Sequence, residues 1–146
     1  MWSSAYVSYG PDNREAAVRL ASPVAGSERE TANIEFKPVD ATANPYLALA
    51  AMLAAGIGGM ERHRDPGELA LVDPATMSED ERASRGIHAL PTSLAEALDA
   101  LDKDEVLKQA LGELLVRTHL AVGRGQVEVA RPLSAKKIAA VARELY

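Results

Sequence analysis

The chain has 146 residues, 47% of them hydrophobic and 25% charged, which suits one ordinary globular domain. Its 16 basic and 21 acidic residues leave a net charge of -5, which argues against nucleic acid and anionic membrane as main partners. It has no cysteine, which excludes a disulfide framework, a thiolate zinc site and a cysteine nucleophile.

Residues 1–43 read as β-like. The opening MWSSAYVSYG lacks the basic and apolar regions of a signal peptide. Within it, Ala5, Val7 and Tyr9 alternate with their neighbours and predict a first strand over 3–9. Gly10-Pro11-Asp12-Asn13 is turn chemistry. EAAVRLA predicts a second strand, with Ala16, Val18 and Leu20 on one face and Ala17, Arg19 and Ala21 on the other. SPVAGSERETA reads as a loop. NIEFK predicts a third strand, with Asn33, Glu35 and Lys37 on one face and Ile34 and Phe36 on the other; Pro38 ends it.

From Asn44 onward the pattern is helical. Asn44 is a good N-cap and Pro45 suits the first helical position. The run Tyr46 to Met60 is short of the roughly 20 apolar residues that a bilayer demands, so it predicts a buried helix, weakening at Gly56, Gly58 and Gly59. A charged loop follows. Ser78 with Glu81, and Ser93 with Glu96, are candidate capping boxes, the second opening the helix LAEALDALD. DEVLKQALGELLVRTHLAV predicts one longer helix, and Gly123-Arg124-Gly125 a turn. SAKKIAAVARELY is amphipathic, with Ile138, Val141, Ala142 and Leu145 expected inward. There is no internal repeat. The class is α+β, antiparallel strands followed by a mostly helical half. Three strands cannot bury both faces of a sheet by themselves, and their edges are open to pairing. The chain reads as the latter part of a larger fold, in the cytoplasm.

Two pairs of residues could carry chemistry. Arg14 in a turn and Arg19 on a strand could converge on one anion, because guanidinium binds phosphate bidentately; the plain alternative is two solvated arginines. Glu35 could be a ligand for a hard cation and Lys37 could neutralise a phosphate. Here the plain alternative is an exposed cross-strand ion pair of little stabilising value. Spacing alone favours the plain alternatives. His63, His88 and His119 are scattered without metal-ligand spacing, and the acidic runs SEDE and DKDE suit helix starts.

Taken together, GPDNREAAVRL and NIEFKPVDATANPYLALAAMLAAG closely resemble the C-terminal part of the glutamine synthetase family. The order NR-x4-R, EF-[KR], ANPYLALAAMLAAG, then LP-x-SL-x-EAL-x-AL and a terminal ELY carries the resemblance over nearly the whole chain. It implies an ATP-dependent ligase that phosphorylates the γ-carboxylate of glutamate and displaces the phosphate with ammonia or an amine. It implies ATP and Mg²⁺ or Mn²⁺ as cofactors and assembly into a homo-oligomer whose active sites lie between subunits. Carried over by position, Arg14 and Arg19 would contact nucleotide or transferred phosphate. Glu35 would ligate metal, and Lys37 would bind the substrate carboxylate or stabilise phosphate. The strands would belong to the family's curved catalytic sheet. Lys37 stands where typical members have arginine and Asn33 where they often do; both departures speak against glutamate itself as the substrate and fit the divergent branches of the family, which join amines or other acceptors to γ-glutamyl groups or have no clear activity.

Complete members of that family are much longer, and their β-grasp domain, further metal-binding glutamates and nucleotide-contacting region lie upstream of the matched part. The resulting expectation is a C-terminal catalytic-domain portion over 1–146, with Met1 internal to a longer protein and no activity in isolation. The alternative is a stand-alone binding or regulatory module that pairs with a full-length homologue. A third reading is a poorly folded remnant.

Overall fold

A computed structural model describes the backbone of residues 5–145 and the side chains of residues 5–144. The class is α+β, as expected. The chain divides into two units. One takes the chain up to Asp40 together with Asp65–Leu90; the other takes Ala41–Arg64 and the chain from Pro91 onward. Among the described residues no helix is long and apolar enough to cross a membrane.

The first unit holds a sheet of strands β1 (Tyr9–Pro11), β2 (Val18–Ala21) and β3 (Asn33–Phe36), in that order. β2 and β3 pair antiparallel, with Arg19 opposite Glu35 and Leu20 opposite Ile34. β1 and β2 pair parallel, where antiparallel pairing was expected. The cause is a shift of the turn. Gly10 and Pro11 are extended and belong to β1, and the chain reverses only at Asp12, which holds φ +49. Asn13 Oδ1 then accepts from the Glu15 amide at 2.9 Å, and the Ala16 amide donates to the Asn13 carbonyl at 3.3 Å. This loop carries the chain back, so that the Val18 amide donates to the Ser8 carbonyl at 3.0 Å. The expected first strand begins at Ser3 and Ser4, outside the described residues; Tyr6 forms an isolated bridge to Ala89.

Gly10 is needed for a reason other than a turn. A Cβ there would lie 2.1 Å from the Ala70 carbonyl oxygen, which also accepts from Asn13 Nδ2 at 2.7 Å. The same Nδ2 donates to the Val72 carbonyl at 3.0 Å. Ala16, Ala17, Ala70, Met77, Ile87 and Pro74 are buried. A short helix α1 (Glu28–Thr31) occupies part of the expected loop. Ser78 caps helix α3 (Glu79–Ser84), its hydroxyl accepting from the Glu81 amide at 3.2 Å. Arg82 of α3 lies over the Tyr6 ring, 4.8 Å from its centroid, and donates to the carbonyls of Met77 at 2.5 Å and Pro74 at 3.1 Å.

Asp12 ties the start of this loop to the end of β2. Its carboxylate accepts from the Ser22 hydroxyl and from the Ser22 amide at 3.0 Å, and both bonds hold its pKa below the usual aspartate value. A folded-state pKa below the unfolded one contributes stability at pH above the unfolded value, lost as pH falls through the folded value. Asp12→Asn therefore removes an increment present at neutral pH, and the variant will lose less stability than the parent on acidification below about pH 4. Urea unfolding across that range checks this; parallel curves for the two proteins would refute it.

The second unit is helical: α2 (Pro45–Glu61), α4 (Leu94–Lys103), α5 (Glu105–Leu111), α6 (Glu113–Ala130) and α7 (Ala135–Leu145). Asn44 Oδ1 accepts from the Tyr46 and Leu47 amides at 3.0 and 3.2 Å, as its capping role predicts. Four expectations are corrected here. First, α2 runs unbroken through its glycines. Gly58 is buried, with Val106 of α5 3.0 Å from where its Cβ would stand. Second, α2 is not a buried helix. Tyr46 is 83% and Met60 70% exposed, and Leu49, Leu53 and Ile57 are exposed as well. A helix apolar on every side needs cover all round, and α2 packs mainly on α5. Third, the expected single helix over 104–122 is broken at Gly112, whose φ of +85 lets α5 end and α6 begin. Fourth, Gly123-Arg124-Gly125 is no turn but lies inside α6.

Gly123 is buried because α4 crosses it: a Cβ there would lie 2.7 Å from Leu98 Cδ2. Leu98, Val116 and Leu120 form the core of this unit, flanked by Leu101, Leu111 and Val127. The two glycines of the GRG stretch should therefore respond with opposite signs. Gly123→Ala overpacks against Leu98 and should destabilise by about 1–3 kcal/mol. Gly125→Ala, with nothing within 4 Å of its would-be Cβ, should stabilise by up to about 1 kcal/mol through helix propensity. Thermal unfolding of both variants measures the difference, and equal shifts would contradict it. In α7, Ile138, Val141 and Ala142 were expected inward and are exposed: the amphipathic pattern is there, but that face is uncovered. The Leu145 side chain lies outside the described residues.

Candidate active site on the sheet face

Antiparallel register places directly opposed residues on the same face. Arg19 at the centre of the sheet therefore meets Glu35, and the guanidinium Nη2 lies 2.5 Å from Glu35 Oε1. Arg19 is the more enclosed of the two, its side chain 20% exposed against 44% for Glu35. Its Nε is buried without a hydrogen-bond partner, so the guanidinium keeps an unused donor beside the pair. Lys37 follows β3. Its amide donates to the Ala17 carbonyl at 3.0 Å, and its ammonium donates to the Arg14 carbonyl. Arg14 is exposed in the turn between β1 and β2.

The structure thus brings Arg19 and Glu35 into contact and joins Lys37 to the backbone of the turn that carries Arg14. Arg14 and Arg19 occupy the turn and strand positions expected of them. Asn33, two residues before Glu35 on the same strand, is exposed, and its Nδ2 donates to the Thr31 carbonyl at 2.9 Å. A cross-strand ion pair was the plain alternative for Glu35 and Lys37, and solvation that for Arg19; the structure pairs Glu35 with a half-buried Arg19 instead, and such pairs contribute at most about 1 kcal/mol. The structure thus shows one cation, Arg19, against Glu35, and Lys37 held at the backbone of the Arg14 turn. Arginine and lysine of this kind can bind an anion such as phosphate, and Glu35 can offer oxygen to a hard cation.

A magnesium ion takes one or two carboxylates and completes its shell with water and phosphate oxygens. Glu35 fits that donor set in kind. No group of three or more His, Cys, Asp or Glu that could hold a metal occurs among the described residues, so Glu35 does not complete a site by itself.

Asn13 has a structural role that the sequence does not show. It reads as one more turn former. Yet its side chain anchors the turn of Arg14 to Ala70 and Val72, residues far along the chain, and no local pattern announces those partners.

The catalytic-domain profile described as "Glutamine synthetase, catalytic domain" matches residues 1–138. The chain belongs to the glutamine synthetase family. The resemblance read from its motifs is borne out. A gamma-glutamylpolyamine synthetase of Streptomyces coelicolor, GlnA3, is 38% identical over 145 residues, 99% of this chain and 31% of the relative. The glutamine synthetase of Pyrococcus furiosus is 43% identical over 108 residues, 74% of this chain and 24% of the relative. Two solved structures share the fold. A "novel glutamine synthase homolog" superposes with a TM-score of 0.78 at 38% identity, over 100% of this chain and 31% of its own. Ligand-free GmaS gives 0.71 at 31% identity, over 91% of this chain and 28% of its own. The chain therefore spans less than a third of the length of these glutamine synthetase relatives.

Proposed function

We propose that this chain is the C-terminal catalytic-domain portion of a glutamine-synthetase-type ligase that joins ammonia or an amine to the γ-carboxylate of glutamate. The observation that carries the reading is the Arg19–Glu35 contact, with Lys37 tied to the turn of Arg14, in a member of this family. ATP, with Mg²⁺ or Mn²⁺, would supply the phosphoryl group that turns the γ-carboxylate into a γ-glutamyl phosphate. Attack by the amine nitrogen on the γ-carbonyl carbon then expels phosphate. The part assigned to this chain is electrostatic. Arg14 and Arg19 neutralise charge on the transferred phosphoryl oxygens, Lys37 holds the acid substrate or that phosphate, and Glu35 gives one metal ligand.

Lys37 keeps a charge but lacks the planar fork of arginine, and Asn33 has no charge. Together with 38% identity to a gamma-glutamylpolyamine synthetase, this favours an amine over ammonia as acceptor. The remaining ligands and the nucleotide-contacting surface would come from a longer polypeptide, assembled as a homo-oligomer in the cytoplasm.

The test is ATP-dependent phosphate release with glutamate and either ammonium or a polyamine. The chain alone should give none. Joined to the upstream two thirds of the polypeptide it should turn over, faster with the polyamine, and Arg19→Ala or Glu35→Ala should slow it at least about 100-fold. Turnover by the chain alone would overturn its inactivity. A long form inert with both acceptors, or indifferent to both substitutions, would overturn the ligase assignment. A second reading, a module that pairs with a longer homologue, is favoured by one feature: β3 pairs only with β2 among the described strands, so its outer edge is open. Co-purification of the chain with a full-length relative would support it.

A further inference from the structure

The end of α2 is built in an unusual way. It closes with the Arg64 amide donating to the Gly59 carbonyl at 2.9 Å and the Arg62 amide to Gly58 at 3.3 Å. A closure of this kind needs a left-handed residue, and glycine usually supplies it. Here His63 does, at φ +49. The turn sets Arg62 and Arg64 on either side of His63, and both line a cleft of about 680 Å³ shared with the end of α4 and the start of α5. Lys103 lines the same cleft, and Gly59, Val106 and Leu107 form apolar parts of its wall. Gly58 makes room for this: Arg62 Nη2 lies 2.5 Å from where a Cβ would stand, so any side chain would push the guanidinium away. Gly59 has nothing within 4 Å of its own missing Cβ, which keeps the wall open.

The charges in this cleft are unequal in their commitments. Asp104 is spent as the N-cap of α5, its Oδ1 accepting from the Val106 and Leu107 amides at 2.9 and 3.0 Å. Glu105 is paired with Lys108 at 2.6 Å. Arg62, Arg64 and Lys103 make no ion pair with any described residue. Three cations converge on one concave surface in a chain whose net charge is -5. With no ion pair to offset them, like charges lining one cleft repel, and a multivalent anion removes that repulsion.

We propose that this cleft binds a small polyphosphate anion, a di- or triphosphate group held by Arg62, Arg64 and Lys103. The residues are distinct from those of the sheet face, and the inference does not depend on the ligase reading. The apolar wall beside the cations leaves room for a nucleoside attached to the phosphates. Sodium pyrophosphate and ADP separate the two sources of the same chemistry.

The experiment is a titration of the 146-residue chain with each compound in metal-free, low-salt buffer, followed by amide NMR. Shifts should concentrate at residues 59–64 and 103–107. Arg64→Gln or Lys103→Gln, both at exposed positions, should each weaken binding about tenfold, and added salt should weaken it further. Tighter binding of ADP than of pyrophosphate would identify the nucleoside form, and equal binding the phosphate group alone. No shift in those two segments, shifts confined to residues 13–19 and 35–37, or both variants binding within twofold of the parent would overturn the proposal.

Discussion

Gly10→Ala will strongly destabilise the sheet unit. The added methyl carbon would stand 2.1 Å from the Ala70 carbonyl oxygen and 3.3 Å from Asn13 Cβ. The first of these neighbours is backbone and has no rotamer to change. Relief means moving β1 away from residue 70. That motion strains the bond from the Ala70 amide to the Tyr9 carbonyl at 2.8 Å and the bond from Asn13 Nδ2 to Ala70 at 2.7 Å. Overpacking alone costs 1–3 kcal/mol in a well-packed site, and two hydrogen bonds add about 1 kcal/mol each. We expect a loss of about 3 kcal/mol or more, read as the shift in urea midpoint. Amide NMR should show resonances of residues 9–20 and 66–90 collapsing first. Because Asn13 anchors the turn of Arg14, the candidate site should fail with the sheet. A variant within about 1 kcal/mol of the parent would show that β1 and residue 70 are not locked together.

Leu98→Ala should have a comparable effect on the helical unit. Leu98 is 3% exposed and packs with Val116 and Leu120, with its Cδ2 against Gly123. Truncation of a leucine so enclosed costs about 3–5 kcal/mol, through lost transfer energy and the cavity left behind. The geometry makes a sharper statement possible. Gly123→Ala is unfavourable because its methyl meets the Leu98 side chain, so in a Leu98→Ala background the clash is gone and the methyl fills part of the cavity. The double variant should be more stable than the sum of the two single changes by about 1 kcal/mol or more. Additivity, measured by a double-mutant cycle of thermal or urea unfolding, would mean that α4 and α6 do not meet at these two residues.

Much of the local structure could be read from neighbouring residues. Asn44-Pro45, Ser78 and Ser93 start helices where their side chains can satisfy the first free amides, a requirement met within three residues. β3, with Glu35 on it, followed from alternation.

The errors share a cause. Gly10-Pro11 looked like a turn, Gly123-Arg124-Gly125 looked like a turn, and Gly58 looked like a weak point in a helix. In each case glycine is there because another part of the chain comes too close for a side chain: Ala70 at Gly10, Leu98 at Gly123, Val106 and Arg62 at Gly58. A glycine chosen for close approach and one chosen for its backbone freedom are the same letter. Gly112 is of the second kind, with φ +85, and it broke a helix that periodicity ran straight through.

The exposed faces of α2 and α7 carry the same lesson from the other side. Hydrophobic pattern led to the expectation that α2 and the Ile138 side of α7 are buried, and both are exposed. The pattern names no covering surface, because burial belongs to the partner surface as much as to the helix. By itself the sequence determined the family, the helix starts, the strand of Glu35 and the identity of the charged groups, since each depends on residues close together in the chain. Only the tertiary structure decided that β1 runs parallel to β2, that Arg19 meets Glu35 while Lys37 holds the turn of Arg14, and that Arg62, Arg64 and Lys103 share one cleft. Those facts depend on distances between residues far apart in sequence, and these are fixed by packing and hydrogen bonding across the fold.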